Sequence, residues 1–101
     1  MGELAIAGRK FVLLFKGENC AACKVLDLQL REASAQGINW EGGIDLLIHD
    51  AGDPKQMQAF AENQVRSIPC LIIKDDDYKE VRRHQGAFSS VKALIEFIQG
   101  G

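Results

Sequence analysis

The sequence predicts an α/β domain, in which strands and helices alternate along the chain. Two observations support this class. Apolar runs of strand length recur, the first of them at residues 11–16, and the segments between them carry apolar residues at helical spacing. The predicted order is β-α-β-α-β-β-α. A chain of 101 residues is long enough for one core, so we expect a single domain over residues 1–101.

The first half of the chain predicts two strands around one helix. Residues 11–16 contain Phe, Val and Leu without polar alternation, which is typical of a strand covered on both faces. Residues 20–36 predict a helix that Gly37 ends. Segment 38–43 is interpreted as a loop or a short edge piece, and residues 44–49 as the second strand.

The second half predicts a short helix, a hairpin and a final helix. Asp53 and Pro54 are typical of a helix start, here for a helix over 54–63. Its inner face is predicted to carry Met57, Phe60 and Ala61. Strands 70–74 and 78–84 are joined by the acidic turn at residues 75–77, and the last helix is predicted at 89–99, with Ser89 as its cap. The hairpin is antiparallel and the two strand–helix–strand steps predict parallel pairing, which gives a mixed sheet.

Composition excludes several classes of partner and location. The net charge is −2, so neither nucleic acid nor an anionic membrane is expected as a partner. No segment reaches the roughly 20 apolar residues of a membrane span. The first ten residues lack a basic start and a long apolar stretch, so we expect no signal peptide and a cytoplasmic location.

Cys20 and Cys23 form a Cys-x-x-Cys pair at the junction of the first strand and helix. Unpaired backbone N–H groups and the helix dipole stabilise a thiolate there, and the thiolate is the form that attacks disulfides. Lys16 and Lys24 favour that form and Glu18 opposes it. The chemistry expected is thiol–disulfide exchange, with Cys20 as nucleophile and Cys23 as resolving thiol. An inert pair of core residues and a metal site remain as alternatives.

Three features together resemble the thioredoxin-like superfamily of small thioredoxins and glutaredoxins. They are the Cys-x-x-Cys pair after the first strand, the Ile68-Pro69 dipeptide further along, and Gly86 before the last helix. The resemblance implies a four-stranded mixed sheet flanked by helices. It also implies that Pro69 is cis beside the cysteine pair, and that client segments bind along Ile68 and Pro69 with contacts from Asn19 and Ala87.

The sequence also departs from the usual thioredoxin pattern. Asn19 stands where thioredoxins usually have tryptophan, and Ala21-Ala22 where they have Gly-Pro. Leu14 and Leu46 occupy the places of the buried acid and its lysine partner. In thioredoxins the buried acid helps to deprotonate the second cysteine, and the resemblance implies that this proton acceptor is missing here. We therefore expect Cys23 to resolve mixed disulfides more slowly, and with a steeper pH dependence, than in ordinary thioredoxins.

The function predicted is a protein-disulfide reductase that passes electrons from Cys20 and Cys23 to client protein disulfides. A disulfide reductase would recharge it, and we expect a monomer with no cofactor and no metal. A glutathione-dependent, glutaredoxin-like enzyme and a non-catalytic adaptor are the alternatives. Cys70, which follows Pro69, is either a small buried apolar residue or a third thiol near the pair.

Overall fold

The computed structural model describes residues 9–38, 40 and 42–100. Residues 1–8 lie outside this range, as do parts of segment 38–43, so the expectations that rest on them are not addressed by the structure. The strands are β1 (Lys10–Lys16), β2 (Ile44–Asp50), β3 (Cys70–Lys74) and β4 (Glu80–Gln85). The helices are α1 (Ala21–Ala35), α2 (Met57–Glu62) and α3 (Val91–Gln99), and a 3-10 turn spans Pro54–Gln56. The predicted α/β class and element order are confirmed.

The four strands form one mixed sheet in the order β2-β1-β3-β4. β1 is parallel to β2, whereas β3 is antiparallel to both β1 and β4. The mixed sheet is confirmed, but the parallel pairing predicted for the second strand–helix–strand step is wrong. A helix of 6 residues rises only about 9 Å, whereas the 7-residue strand before it spans about 23 Å. The chain therefore does not return to the far end of the sheet, and β3 starts at the end where β2 finishes.

Apolar side chains on both faces of the sheet form the core. Val12 and Leu14 face α1 and α3, where they pack in one cluster with Leu26 and Leu94. The alternate residues of β1 face α2 and form a second cluster around Phe60. The prediction that the first strand is covered on both faces is confirmed, and each fully buried leucine contributes about 1.5–3 kcal/mol of burial free energy.

The predicted ends of the first and last helices need correction by one or two residues. Cys20 caps α1 from outside the helix rather than beginning it, and Gly37, at φ 115°, follows the helix end. Ser89 is not the cap of α3. Ser90 is extended, and its Oγ accepts the N–H of Ala93 at 3.0 Å, so the helix begins at Val91.

The middle helix and the last strand are both shorter than predicted. Asp53 caps the 3-10 turn as expected, because its Oδ1 accepts the N–H of Lys55 at 3.0 Å. Phe60 is buried, but Met57, the first residue of this 6-residue helix, is 47% exposed. The last strand begins at Glu80 because Tyr78 has φ 63°, which strand pairing does not allow. Ala61 is also exposed.

Among the described helices, none has the length and apolar character of a membrane span.

Candidate redox site

The Cys-x-x-Cys pair lies where β1 passes into α1. Cys20 is the N-cap of the helix, and its Sγ accepts the backbone N–H of Cys23 at 3.1 Å. The two cysteines form a disulfide with their Cα atoms 5.2 Å apart. Cys20 is partly exposed and Cys23 is only 5% exposed. The outer sulfur is thus the more accessible of the two, and the roles of nucleophile and resolving thiol stay predictions.

The start of this helix carries a partial positive charge beside the outer cysteine. The first turn of α1 contains no acidic side chain, so the partial positive charge of the N-terminus is not neutralised there. Lys24 is exposed one turn into the helix. Lys16, which ends β1, is directed to Asp27 of α1, with Nζ 4.0 Å from Oδ1.

A cis peptide bond joins Ile68 to Pro69, as the thioredoxin resemblance implied. Pro69 is fully buried, and its carbonyl accepts the N–H of Gly86 at 2.8 Å. Gly17 lies directly against Ile68, since a Cβ added there would stand 2.7 Å from Ile68 Cδ1. The loop before the cysteines, the cis-proline segment and the turn after β4 therefore meet at one end of the sheet.

The predicted client-contact residues lie on these converging segments. Asn19 is exposed in the loop before Cys20, with φ 54°. Ile68 and Ala87 are partly buried, on the cis-proline segment and on the turn that follows β4. Their role in binding remains a prediction.

Sequence reasoning missed Gln29, which ties α1 to the turn after β4. Its Nε2 donates to the carbonyl of Phe88 at 2.8 Å and its Oε1 accepts the N–H of Phe88 at 3.0 Å. The signal in the sequence was weak. Gln29 stands beside the buried Leu30 on a helix of mixed polarity, where a polar residue is ordinarily exposed.

Apolar side chains occupy the two positions at which thioredoxins carry the buried acid and its lysine partner. Leu14 is 2% exposed within the cluster that contains Leu26, and Leu46 is 36% exposed on β2. Neither side chain can accept a proton, so any base for Cys23 must come from another residue.

Cys70 is a free thiol and fully buried. It packs with Phe15 and Phe60 on the sheet face that α2 covers, whereas α1 and its cysteine pair cover the opposite face. Burial raises the pKa of the Cys70 thiol. A thiol that is buried and stays protonated is a poor nucleophile, which favours the interpretation of Cys70 as a small core residue.

One group of acidic residues has the composition of a cation site. The carboxylates of the β3–β4 turn, at Asp75, Asp76 and Asp77, lie within 4.8 Å of one another. Oδ1 of Asp75 already accepts the N–H groups of Asp77 and Lys79, both at 2.9 Å. These bonds shape the turn that joins β3 to β4, as the sequence predicted.

No protein-family model matches the sequence, and no curated protein matches it significantly. Solved structures do match, and thioredoxins are among them. Thioredoxin-2 of a malaria parasite, described as a component of the parasite's protein secretion machinery, superposes with a TM-score of 0.74 at 21% identity, over 93% of this chain and 84% of that one.

Two further structures give the same result. Trxlp from Edwardsiella tarda superposes with a TM-score of 0.75 at 20% identity, over 96% of this chain and 88% of that one. Fasciola hepatica thioredoxin superposes with a TM-score of 0.72 at 22% identity, over 96% of this chain and 86% of that one. The chain therefore has the thioredoxin fold, with a close cysteine pair of the Cys-x-x-Cys type. The thioredoxin fold that the resemblance implied is confirmed.

Proposed function

We propose that this protein is a thiol–disulfide oxidoreductase that reduces disulfides of client proteins with Cys20 and Cys23. One observation carries the proposal. The two cysteines form a disulfide at the N-terminus of α1, with the outer sulfur partly exposed and the inner one nearly buried. A pair that can close into a disulfide without distorting the helix can cycle between its two redox states.

The reaction proceeds in two exchanges. In the reduced protein, the Cys20 thiolate attacks one sulfur of the client disulfide, and the other client sulfur leaves as a thiolate. The Cys23 thiolate then attacks the Cys20 sulfur, forms the Cys20–Cys23 disulfide and releases the second client sulfur as a thiolate. Two electrons have passed to the client, and an external disulfide reductase must supply two more.

Client segments are proposed to bind in an extended conformation beside Ile68 and Pro69. An extended peptide can use backbone hydrogen bonds for affinity, which makes binding tolerant of its side chains. Asn19 and Ala87, on the two neighbouring loops, would contact the flanking client residues. This arrangement suits a reductase with many clients.

The test is a redox titration of the two thiols. The protein is equilibrated in a series of dithiothreitol buffers, its free thiols are trapped with a maleimide, and the adducts are counted by mass. We expect a reversible two-thiol transition at Cys20 and Cys23, with a midpoint between about −270 and −200 mV. Cys20→Ser serves as the control, since it cannot form the internal disulfide.

Other outcomes would support the alternatives. The absence of a reversible transition would contradict the proposal and favour the non-catalytic adaptor. Addition of glutathione distinguishes the proposed function from that of a glutaredoxin-like enzyme. If Cys20 accumulates as a glutathione adduct that only glutathione resolves, the glutaredoxin-like function replaces the proposed one.

A further inference from the structure

A small cavity lies beside the resolving cysteine. Its volume is about 90 Å³, and it is lined by Lys16, Gly17, Cys23, Lys24 and Asp27. About 10–15 Å³ is sufficient for one water molecule, provided that polar groups surround it. The cavity therefore has room for water between the nearly buried Cys23 and the polar side chains opposite.

Asp27 is the acid of this cavity. It stands four residues after Cys23, so both side chains lie on the same face of α1. Its Oδ1 is 4.0 Å from Lys16 Nζ, and its Oδ2 is 3.4 Å from the guanidinium of Arg31. Both distances exceed the roughly 2.7–2.9 Å of a charge-assisted hydrogen bond. The carboxylate is held at the cavity and keeps lone pairs available to accept a proton.

The other charged groups around Asp27 are either basic or, in the case of the nearby carboxylate, already hydrogen-bonded to the backbone. Lys24 lines the cavity from the same helix, and Lys16 comes from β1. Asp50, which is paired in register with Lys16 at the end of β2, accepts the N–H of Gly52 with its Oδ1 at 2.8 Å. Among the described residues that line the cavity, Asp27 is the only carboxylate.

We propose that Asp27 is the proton acceptor for Cys23, in place of the acid that Leu14 replaces. The inference rests on the proposed function. When Cys23 resolves a mixed disulfide, its thiol proton passes through a cavity water to the Asp27 carboxylate. The Cys23 sulfur forms its bond to the Cys20 sulfur as the bond from Cys20 to the client sulfur breaks. The client sulfur leaves with the bonding electrons as a thiolate, and Asp27 later returns the proton to solvent.

The sign of a mutational effect separates this role from a purely electrostatic one. A negative charge near a thiol disfavours the thiolate. If Asp27 acted only through its charge, Asp27→Asn would make Cys23 more acidic and speed up resolution. If Asp27 accepts the proton, the same substitution removes the acceptor and slows resolution.

The experiment follows the two exchanges separately by stopped flow. The fully reduced protein is mixed with the aryl disulfide dithiobis(nitrobenzoate), which releases one coloured thiolate when Cys20 attacks and a second when Cys23 resolves. Rates are measured from about pH 5 to about pH 9, which spans the usual titration ranges of carboxyl and thiol groups. Variants are Asp27→Asn, Asp27→Glu and, as a matched control, Glu32→Gln. Glu32 is an exposed acid of α1 that does not line the cavity.

We expect Asp27→Asn to slow the second phase about tenfold or more near neutral pH, with the first phase unchanged. The difference from the unmodified protein should shrink at high pH, where Cys23 ionises without assistance. Asp27→Glu should recover part of the rate, and Glu32→Gln should behave like the unmodified protein.

Three results would overturn the inference: an Asp27→Asn second phase as fast as that of the unmodified protein or faster, equal slowing by Glu32→Gln, or equal slowing of both phases. Failure of the unmodified protein to release the second thiolate would instead contradict the proposed function, so the two failures are distinguishable.

Discussion

The side-chain amide of Gln29 forms two hydrogen bonds with the backbone of Phe88, at 2.8 and 3.0 Å. These bonds cross from the helix that begins at the cysteine pair to the turn that carries Ala87. The ring of Phe88 stacks on His84, with ring centroids 3.8 Å apart, and is buried in the core. One polar side chain thus fixes the distance between two segments of the candidate site.

Replacement of Gln29 by leucine should cost more stability than its position on a helix of mixed polarity suggests. The carbonyl and the N–H of Phe88 would both lose their hydrogen bonds in a part-buried setting. Each unsatisfied group costs up to about 3 kcal/mol. We expect a total loss of about 2 kcal/mol in the free energy of unfolding, measured by urea titration of Trp40 fluorescence. Gln36→Leu is the matched control, because that amide is exposed. Equal losses in the two variants would contradict the role assigned to Gln29.

A methyl group at Gly17 should disturb the cis-proline segment. In Gly17→Ala the new Cβ would lie 2.7 Å from Ile68 Cδ1, so the isoleucine side chain must move. We expect KM for a protein disulfide such as insulin to rise about threefold or more, because we have proposed that the extended client segment binds along Ile68. The first thiolate release from a small aryl disulfide, which depends on attack by Cys20 alone, should change little. A KM unchanged for the protein substrate would argue against client binding at this segment.

Stability should fall at alkaline pH in a way that depends on Cys70. Burial raises the pKa of this thiol above its ordinary value of 9.0. At a pH between the ordinary pKa of the unfolded chain and the raised pKa of the folded protein, the unfolded chain has lost the thiol proton and the folded protein retains it. The free energy of unfolding therefore decreases as pH rises through this window. Below the ordinary value both states are protonated and the thiol makes no pH-dependent contribution.

The measurement compares the unmodified protein with Cys70→Ala in urea titrations at neutral and alkaline pH. The unmodified protein should lose more stability above about pH 9 than the variant does. In the native protein, maleimide should label Cys70 only at the rate at which the protein opens. Rapid labelling under native conditions would favour the third-thiol alternative instead.

Two leucines of α1 should differ sharply in their contribution to stability. Leu26 is fully buried, whereas Leu28 is 63% exposed on the same helix. Leu26→Ala leaves a cavity between α1 and the sheet and should cost about 2–5 kcal/mol. Leu28→Ala should change stability by no more than about 0.5 kcal/mol. Similar losses in thermal or urea unfolding would contradict the described packing of α1.

Much of the fold was predictable because local patterns and tertiary packing agree. The apolar run of β1 and the capping residue Asp53 gave correct element types. The direction of β3 was not predictable from these patterns, because it depends on how far α2 carries the chain. The prediction of Ser89 rather than Ser90 as a cap failed for a similar reason. Adjacent serines are equivalent in sequence, and only the backbone geometry distinguishes them.

The sequence by itself determined the element order, the Cys-x-x-Cys pair at a helix start and the Ile68-Pro69 dipeptide, because each depends on residues close together in the chain. Only the tertiary structure decided that Gln29 holds Phe88 and that Asp27 shares a cavity with Cys23 and Lys16. The Gln29 bonds join residues 59 positions apart, and the cavity exists because β1 and α1 pack side by side. Local preferences do not specify such distances, since they arise from the packing of whole elements on one sheet.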